Sequence, residues 1–234
     1  MTDRITLAAR NNALWCDVVA RSHGISTTTD ADVWAASTRT PPYYPDAVTL
    51  SPTVGEYDVL ARVDDSDGCS VKDSWARLDL SLEDFARIVV GEWVWLDPSA
   101  PVRRTGGPAW GRVTTPAGMA AWVRAWAGDP DAQDVLRATL LDEPGVHVLA
   151  ARPADDPDAP VVAGAVVHVT GEVAGIGNVF TRAGDDDGAW AAAAAAAREV
   201  VGGIPLVGWE AGASLDAAVA AGCERLGPLS VWLK

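Results

Sequence analysis

The chain has 234 residues, enough for one large domain or two small ones with a real hydrophobic core. Hydrophobic residues make up 49% and Gly and Pro are not in excess, which marks a globular rather than a disordered chain. A formal charge of −14, from 32 acidic and 18 basic residues, argues against nucleic acid or an anionic membrane as partner, because phosphates need clustered Lys and Arg.

Of the 18 basic residues 16 are Arg, and with abundant Ala, Gly, Asp and Pro this is the composition of a GC-rich bacterial genome. Cys16, Cys69 and Cys223 are odd in number and far apart, so neither a disulfide framework nor a zinc site is expected. The first ten residues lack the apolar core of a signal peptide, and the longest apolar run, Ala189 to Ala197, is far short of a membrane span. A reduced, cytoplasmic protein without a metal is the expectation.

In chain order, Asn11 and Asn12 can cap a helix carrying Leu14, Trp15, Val18 and Val19 and ending near Gly24. A polar stretch and the rigid turn Thr40-Pro-Pro-Tyr-Tyr-Pro-Asp46 come next. The runs 47–50, 59–63, 75–80 and 88–96 read as strands, with a short helix over 82–87. Two Gly and three Pro between Asp97 and Pro108 mark a boundary, which separates an N-terminal α+β region, 1–108, from a second domain, 109–234. Beyond it come a strand at 111–114 and an amphipathic helix opened by Thr115-Pro116 and carrying Met119, Trp122, Val123 and Trp126. The pattern predicts a further helix over 131–141, then strands at 146–151, 161–169 and 173–180, which such short connections make antiparallel. An alanine-rich helix ends at Gly202-Gly203, succeeded by a strand (204–209), a helix (213–221) and a last strand (226–233). The fold class is therefore α/β, a mixed sheet with flanking helices and an N-terminal α+β extension.

The order β-α-α-β-β-β-α-β-α-β of residues 111–234 resembles the fold of the GNAT acetyltransferases. Two local features carry the resemblance. The ending Ala218-Val-Ala-Ala-Gly222-Cys-Glu-Arg-Leu-Gly-Pro-Leu-Ser-Val-Trp232 is similar to the family's helix, Gly, short loop and final strand. The stretch Val173-Ala-Gly-Ile-Gly-Asn-Val-Phe180, with a loop and a helix after it, stands where the family binds acetyl-CoA. Gly175 and Gly177 within it suggest a bulge or a close backbone approach. The resemblance covers about half the chain, and one reading of residues 1–109 is a second, eroded copy of the same fold.

The resemblance implies an acyl-CoA-dependent N-acyltransferase acting on a small-molecule amine, with acetyl-CoA or another acyl-CoA as cosubstrate; homodimers are common among such folds. It implies coenzyme contacts at Gly177, Asn178, Val179 and Phe180 in the strand, and at Arg182, Gly184 and Gly188 at the loop and helix N-terminus, where amides and dipole receive pyrophosphate. Asp185, Asp186 and Asp187 occupy that loop, and like charges about 4 Å apart repel by about 4 kcal/mol at an effective dielectric of 20. The same residues serve equally as caps of the next helix. The family's usual Tyr, four residues before the terminal Gly, is Ala218 here.

Two residues are candidate catalysts. Glu210 ends the strand 204–209 beside Trp209, where a carboxylate can accept an amine proton; a solvated strand-end Glu is the plainer reading. His168, on an apolar strand, titrates in the useful range or is simply a hydrogen-bonded core residue. Tyr43, Tyr44 and Asp46, together with Trp209, combine aromatic surface with a carboxylate suited to a hydrophobic or cationic substrate, or form only a turn. The alternative function is a catalytically inactive or repurposed GNAT-like protein that binds a small molecule or partner without coenzyme A.

Overall fold

The computed structural model describes residues 3–102, 107–128, 134–156, 159–182 and 186–234. By contacts the chain divides into two compact units, one of residues 1–93 and 226–234, the other of residues 94–225.

The first unit opens with helix α1 (Arg4–Ser22) and continues with strands β1 (Thr27–Thr29), β2 (Val33–Ala36) and β3 (Ala47–Thr49). Helix α2 (Glu56–Leu60) leads to β4 (Ser70–Asp73), and the long strand β5 (Ala86–Leu96) closes this stretch of chain. β1–β2 and β2–β3 pair antiparallel, while β3 and β4 are parallel across the α2 crossover. β4 takes as its other neighbour the C-terminal strand β11 (Glu224–Leu233), antiparallel, from Ser230 opposite Asp73 to Leu233 opposite Ser70. One side of this sheet buries Val33, Ala35, Ala47, Val59, Val71 and Trp232 in a core with α2. On the other side α1 is tied down by Asp17, which accepts from Thr27 Oγ1 and, at 3.3 Å, from Trp34 Nε1. There Lys72 Nζ donates to Asn12 Oδ1 of α1 at 2.9 Å.

The second unit contains β6 (Ala109–Arg112), α3 (Pro116–Ala127), β7 (Val146–Arg152), β8 (Ala163–Thr170) and β9 (Val173–Thr181). Helix α4 (Asp186–Val201), β10 (Leu206–Glu210) and α5 (Gly212–Ala220) complete it. β6, β7, β8 and β9 pair successively antiparallel, and β9 and β10 are parallel across α4. Ala174, Ile176, Leu149, Ala165, Val167 and Leu206 face α4 and α5, whose buried surface is mostly alanine apart from Trp190 and Leu215. On the opposite face Trp122 of α3 donates through Nε1 to Leu149 O at 2.8 Å and meets Phe180 edge-on, ring centroids 5.2 Å apart.

The antiparallel trio 146–180, α3, the alanine helix and the last three elements agree with the sequence reading. Several local expectations are corrected. Asn11 and Asn12 do not cap the first helix; α1 begins at Arg4, with Asp3 at its N-cap position, and runs through both of them. Residues 59–63 form the end of α2 and a turn, not a strand, and 75–80 form a loop. There the Asp73 carboxylate takes the place of a neighbouring strand, accepting from Trp75 N at 3.1 Å and Leu78 N at 2.7 Å. The helix predicted over 82–87 is a 3₁₀ turn, Leu80–Glu83, capped by Asp79 and stopped by Asp84 at φ 63. In the predicted helix 131–141, residues 131–133 lie outside those described, and the chain after them forms bends and a 3₁₀ turn, Ala138–Asp142. The polar stretch 24–39 holds β1 and β2, joined by Asp30, whose Oδ1 accepts from Asp32 N and Val33 N.

Gly164 of β8 lies under the Trp122–Phe180 contact. A Cβ built there would stand 2.3 Å from Trp122 Nε1 and 2.5 Å from Phe180 Cε1. Gly164→Ala is therefore expected to lower the unfolding free energy by about 1–3 kcal/mol in chemical denaturation, the cost of overpacking a tight core.

Candidate functional site

The candidate site grows from an irregularity in β9. Opposite β8, Val166 pairs with Gly177 and Gly164 pairs with Phe180, so Asn178 and Val179 together face the single residue Ala165. Asn178 sits in the left-handed region at φ 51. This is a β-bulge whose extra residue is the one side chain, besides Asp, that tolerates that backbone best. It shifts the alternation of β9: Ile176 and Val179 both pack on the α4 face, while Phe180 turns to Trp122.

On its other edge β9 pairs with β10 only at Ala174–Leu206 and Gly175–Val207. Gly208 still lies against β9, since a Cβ on it would be 2.6 Å from Ile176 O. The remainder of β9, residues 177–181, is half-buried along its whole length, and β9 runs on towards the 16-residue helix α4. Bulging frees backbone N–H groups from the ladder, and a long helix N-terminus attracts anions.

Glu210 ends β10 on the face covered by α4 and α5. Trp190 Nε1 donates to its Oε1 at 3.0 Å and Ser214 Oγ donates to its Oε2 at 2.7 Å. Burial pushes the Glu210 carboxyl above the ordinary carboxylate range, and the two hydrogen bonds oppose that push. Cys223 lies in the same apolar core, its thiol pushed up to about 12 by burial and by the neighbouring Glu210 charge. Ser214 could have been suspected from the sequence, since it stands four residues after Glu210 at the start of α5. Trp190, 20 residues away, and the close approach at Gly208 leave no local signal.

The other candidate residues are dispersed. His168 is buried on β8 opposite Gly175, alternating with Val167, which faces α4; its side chain thus points to the face away from Glu210. Trp209 likewise alternates with Glu210 and is half-buried. Arg182 NH1 donates to Ala125 O at 2.7 Å, so this guanidinium neutralises the C-terminal end of α3. Gly188 lies in the first turns of α4, of which Asp186 and Asp187 are the opening residues; Gly184 and Asp185 lie outside the described residues.

Tyr43, Tyr44 and Asp46 belong to the first unit. Asp46 is 2% exposed and accepts from Arg39 NH1, Thr40 N and Ser70 N at 2.7, 2.7 and 2.9 Å, which gives its carboxylate a structural task. Tyr44 is buried edge-on against Trp15, and Tyr43, 71% exposed at φ 72, presents its ring to solvent. Among the described residues no group of three or more His, Cys, Asp or Glu could hold a metal, and no helix is long and apolar enough to cross a membrane.

No protein-family model matches the chain, and no curated protein matches it. Solved structures do. A GCN5-related N-acetyltransferase from Kribbella flavida superposes with a TM-score of 0.63 at 17% identity, covering 97% of this chain and 95% of its own. A functionally unknown conserved protein from Staphylococcus epidermidis gives 0.61 at 12% identity, over 88% and 92% of the two chains. A putative GNAT-family acetyltransferase from Novosphingobium aromaticivorans gives 0.54 at 10% identity, over 97% and 98%. This chain therefore has the GNAT acetyltransferase fold, and the likeness spans both units rather than the C-terminal half alone.

The left-handed backbone at Asn178 yields a direct check on the bulge. Asn178→Gly is expected to keep stability within about 0.5 kcal/mol, whereas Asn178→Val should lose about 1–3 kcal/mol by thermal or urea unfolding.

Proposed function

We propose that the protein is an acyl-CoA-dependent N-acyltransferase acting on a small-molecule amine, with its cleft at β9 and β10 of the second unit. The observation that carries the reading is the bulged half of β9, which leaves β10 after two paired residues and leads into α4. The residues present fit the group. The freed N–H groups between Gly177 and Thr181 would hold the pantetheine arm and the acyl oxygen, and the α4 N-terminus with Gly188 would face the pyrophosphate. When bound, acyl-CoA supplies an acyl group activated as a thioester.

The chain's own part is to position, to accept a proton and to exclude water. Glu210 accepts the proton that an amine nitrogen must lose when it becomes an amide nitrogen. Burial favours this role, because a carboxylate kept above its ordinary pKa is the stronger base. Trp190 and Ser214 act through Glu210 as positioning residues, fixing both oxygens while the alanine faces of α4 and α5 keep water away. The loop is atypical for this task, since Arg182 is engaged by Ala125 and three aspartates adjoin the helix start. Its affinity for the diphosphate then rests on backbone amides and the α4 dipole rather than on a cation.

A second reading, binding without turnover, is favoured by one feature. The α5 position from which the family's Tyr would donate a proton is Ala218, wholly buried against α4. Acetyl-CoA separates the readings. At a hundred times its dissociation constant it should stabilise the protein by about 2.7 kcal/mol in a thermal shift, and the absence of any shift at millimolar acetyl-CoA would sink the acyltransferase reading and leave a protein that binds a small molecule or partner without coenzyme A. Thiol release in the presence of an amine panel then distinguishes enzyme from binder.

Glu210→Gln preserves a partner for both hydrogen bonds and removes the base. It should cut kcat by about 10²–10⁴-fold while leaving the unfolding temperature unchanged or higher. Wild-type kcat/KM should rise with pH through a limb above the ordinary glutamate range. Ser214→Ala, which deletes a bond that lowers the Glu210 pKa, should move that limb further up. A limb unmoved by Ser214→Ala would remove Glu210 from the proton transfer.

A further inference from the structure

The two units repeat one frame. In the second, β7, β8 and β9 are consecutive antiparallel strands, α4 crosses over, and β10 lies parallel to β9. In the first, β1, β2 and β3 are consecutive antiparallel strands, α2 crosses over, and β4 lies parallel to β3. The layers also correspond. Ala174 and Leu206 face the crossover helix α4, as Ala47 and Val71 face α2. A second helix covers the other side in each case: α3 against β8 and β9, and α1 against β1, β2 and β3.

The parallel pairs match residue for residue. Ala47–Val71 and Val48–Lys72 stand where Ala174–Leu206 and Gly175–Val207 stand. Continuing both strands places Thr49 in the position of Ile176 and Ser74 in that of Trp209. At this point the two frames part company. Thr49 Oγ1 accepts from Ser74 N at 2.8 Å, and Ser74 Oγ donates to Thr49 O at 2.7 Å, both groups fully buried. These side-chain bonds tie β3 to β4 beyond their two paired residues; in the second unit Gly208 still lies against Ile176 O, but neither Ile176 nor Trp209 has a hydroxyl with which to add such a tie. β3 has three residues, no bulge and no exposed position, whereas residues 177–181 of β9 are half-buried throughout. α2 has five residues against sixteen in α4, too few peptide dipoles to matter to an anion.

We infer that the first unit is a closed copy of the frame that forms the cleft in the second, so the chain takes one acyl-CoA, held in the second unit. The part about acyl-CoA rests on the acyltransferase reading; the closure of the first frame does not. Calorimetric titration with acetyl-CoA is expected to give one equivalent per chain. Gly177→Trp should abolish that equivalent, because a Cβ there meets nothing within 4 Å and its larger ring fills the cleft without displacing the core. Two equivalents in the wild type, or one equivalent that survives Gly177→Trp, would overturn the inference. Amide hydrogen exchange on the ligand-free protein tests closure by itself. Amides 48–50 and 72–75 should exchange at least about ten times more slowly than those of 177–181. If the wild type bound no acetyl-CoA, the acyltransferase reading would fall and this exchange contrast would still decide whether the first frame is closed; equal rates would refute it.

Discussion

The structure of the second unit depends on how β9 divides its backbone between neighbours. A parallel strand pair is held by slanted hydrogen bonds and, left alone, continues for the length of the shorter strand. Here the paired residues are Ala174–Leu206 and Gly175–Val207, Gly208 still lies against Ile176 O, and beyond that point the bulge at Asn178 gives β9 a new alternation. The same extra residue sends Val179 under α4 and Phe180 onto Trp122, so both covering helices are anchored to one distortion. A bulge that served only to open a cleft would be a cost in lost ladder bonds. This one is held in place because the packing on both faces is built to its shifted register.

Helix composition reflects the same requirement. The surface α4 buries in this core includes Trp190, Ala193, Ala194 and Ala197, and α5 adds Leu215, Ala217 and Ala218. Small side chains let the two helices lie close to the strands and to each other, which is how the end of β10 becomes covered. The alanine run visible in the sequence is thus a packing device as well as a helix former. Glu210 is buried as its consequence, and Trp190 and Ser214, one from each helix, compensate the carboxylate.

Much of this was legible in the sequence, and the limits have physical causes. The second unit has long strands with apolar alternation and capped helices: Thr115 bonds Gly118 N as a cap should, and Gly128 closes α3 at φ 65. Local preference and tertiary structure agree there. In the first unit the strands β1 to β4 have three or four residues, too short for alternation to register, and side chains supply the turns. Asp30, Asp73 and Asp79 each satisfy backbone N–H groups that a pattern of apolar residues says nothing about. Glycine was a good guide to irregularity but not to its position: Gly175 and Gly177 pointed to a bulge that Asn178 actually makes. The pairing of Trp190 with Glu210 joins distant segments and has no local correlate at all.

The position of Glu210 sets stability against reactivity. Its pKa is raised in the folded chain, so the charge is less welcome there than in the unfolded one. That penalty is absent below the unfolded value, grows as pH rises, and is complete once the folded group has ionised. A purely structural end to β10 would be better served by Gln, Leu or Met, any of which the alanine surroundings could take without the desolvation cost. An ionisable group under two helices and beside the buried thiol of Cys223, with donors for both its oxygens, is held there against the folding free energy. Burial of this kind suits the proton acceptor proposed here. Ala218 bears on the other half of the proposed reaction, because with no tyrosine on α5 to protonate the departing thiolate, the proton taken up by a Glu210 base would have to serve that leaving group as well.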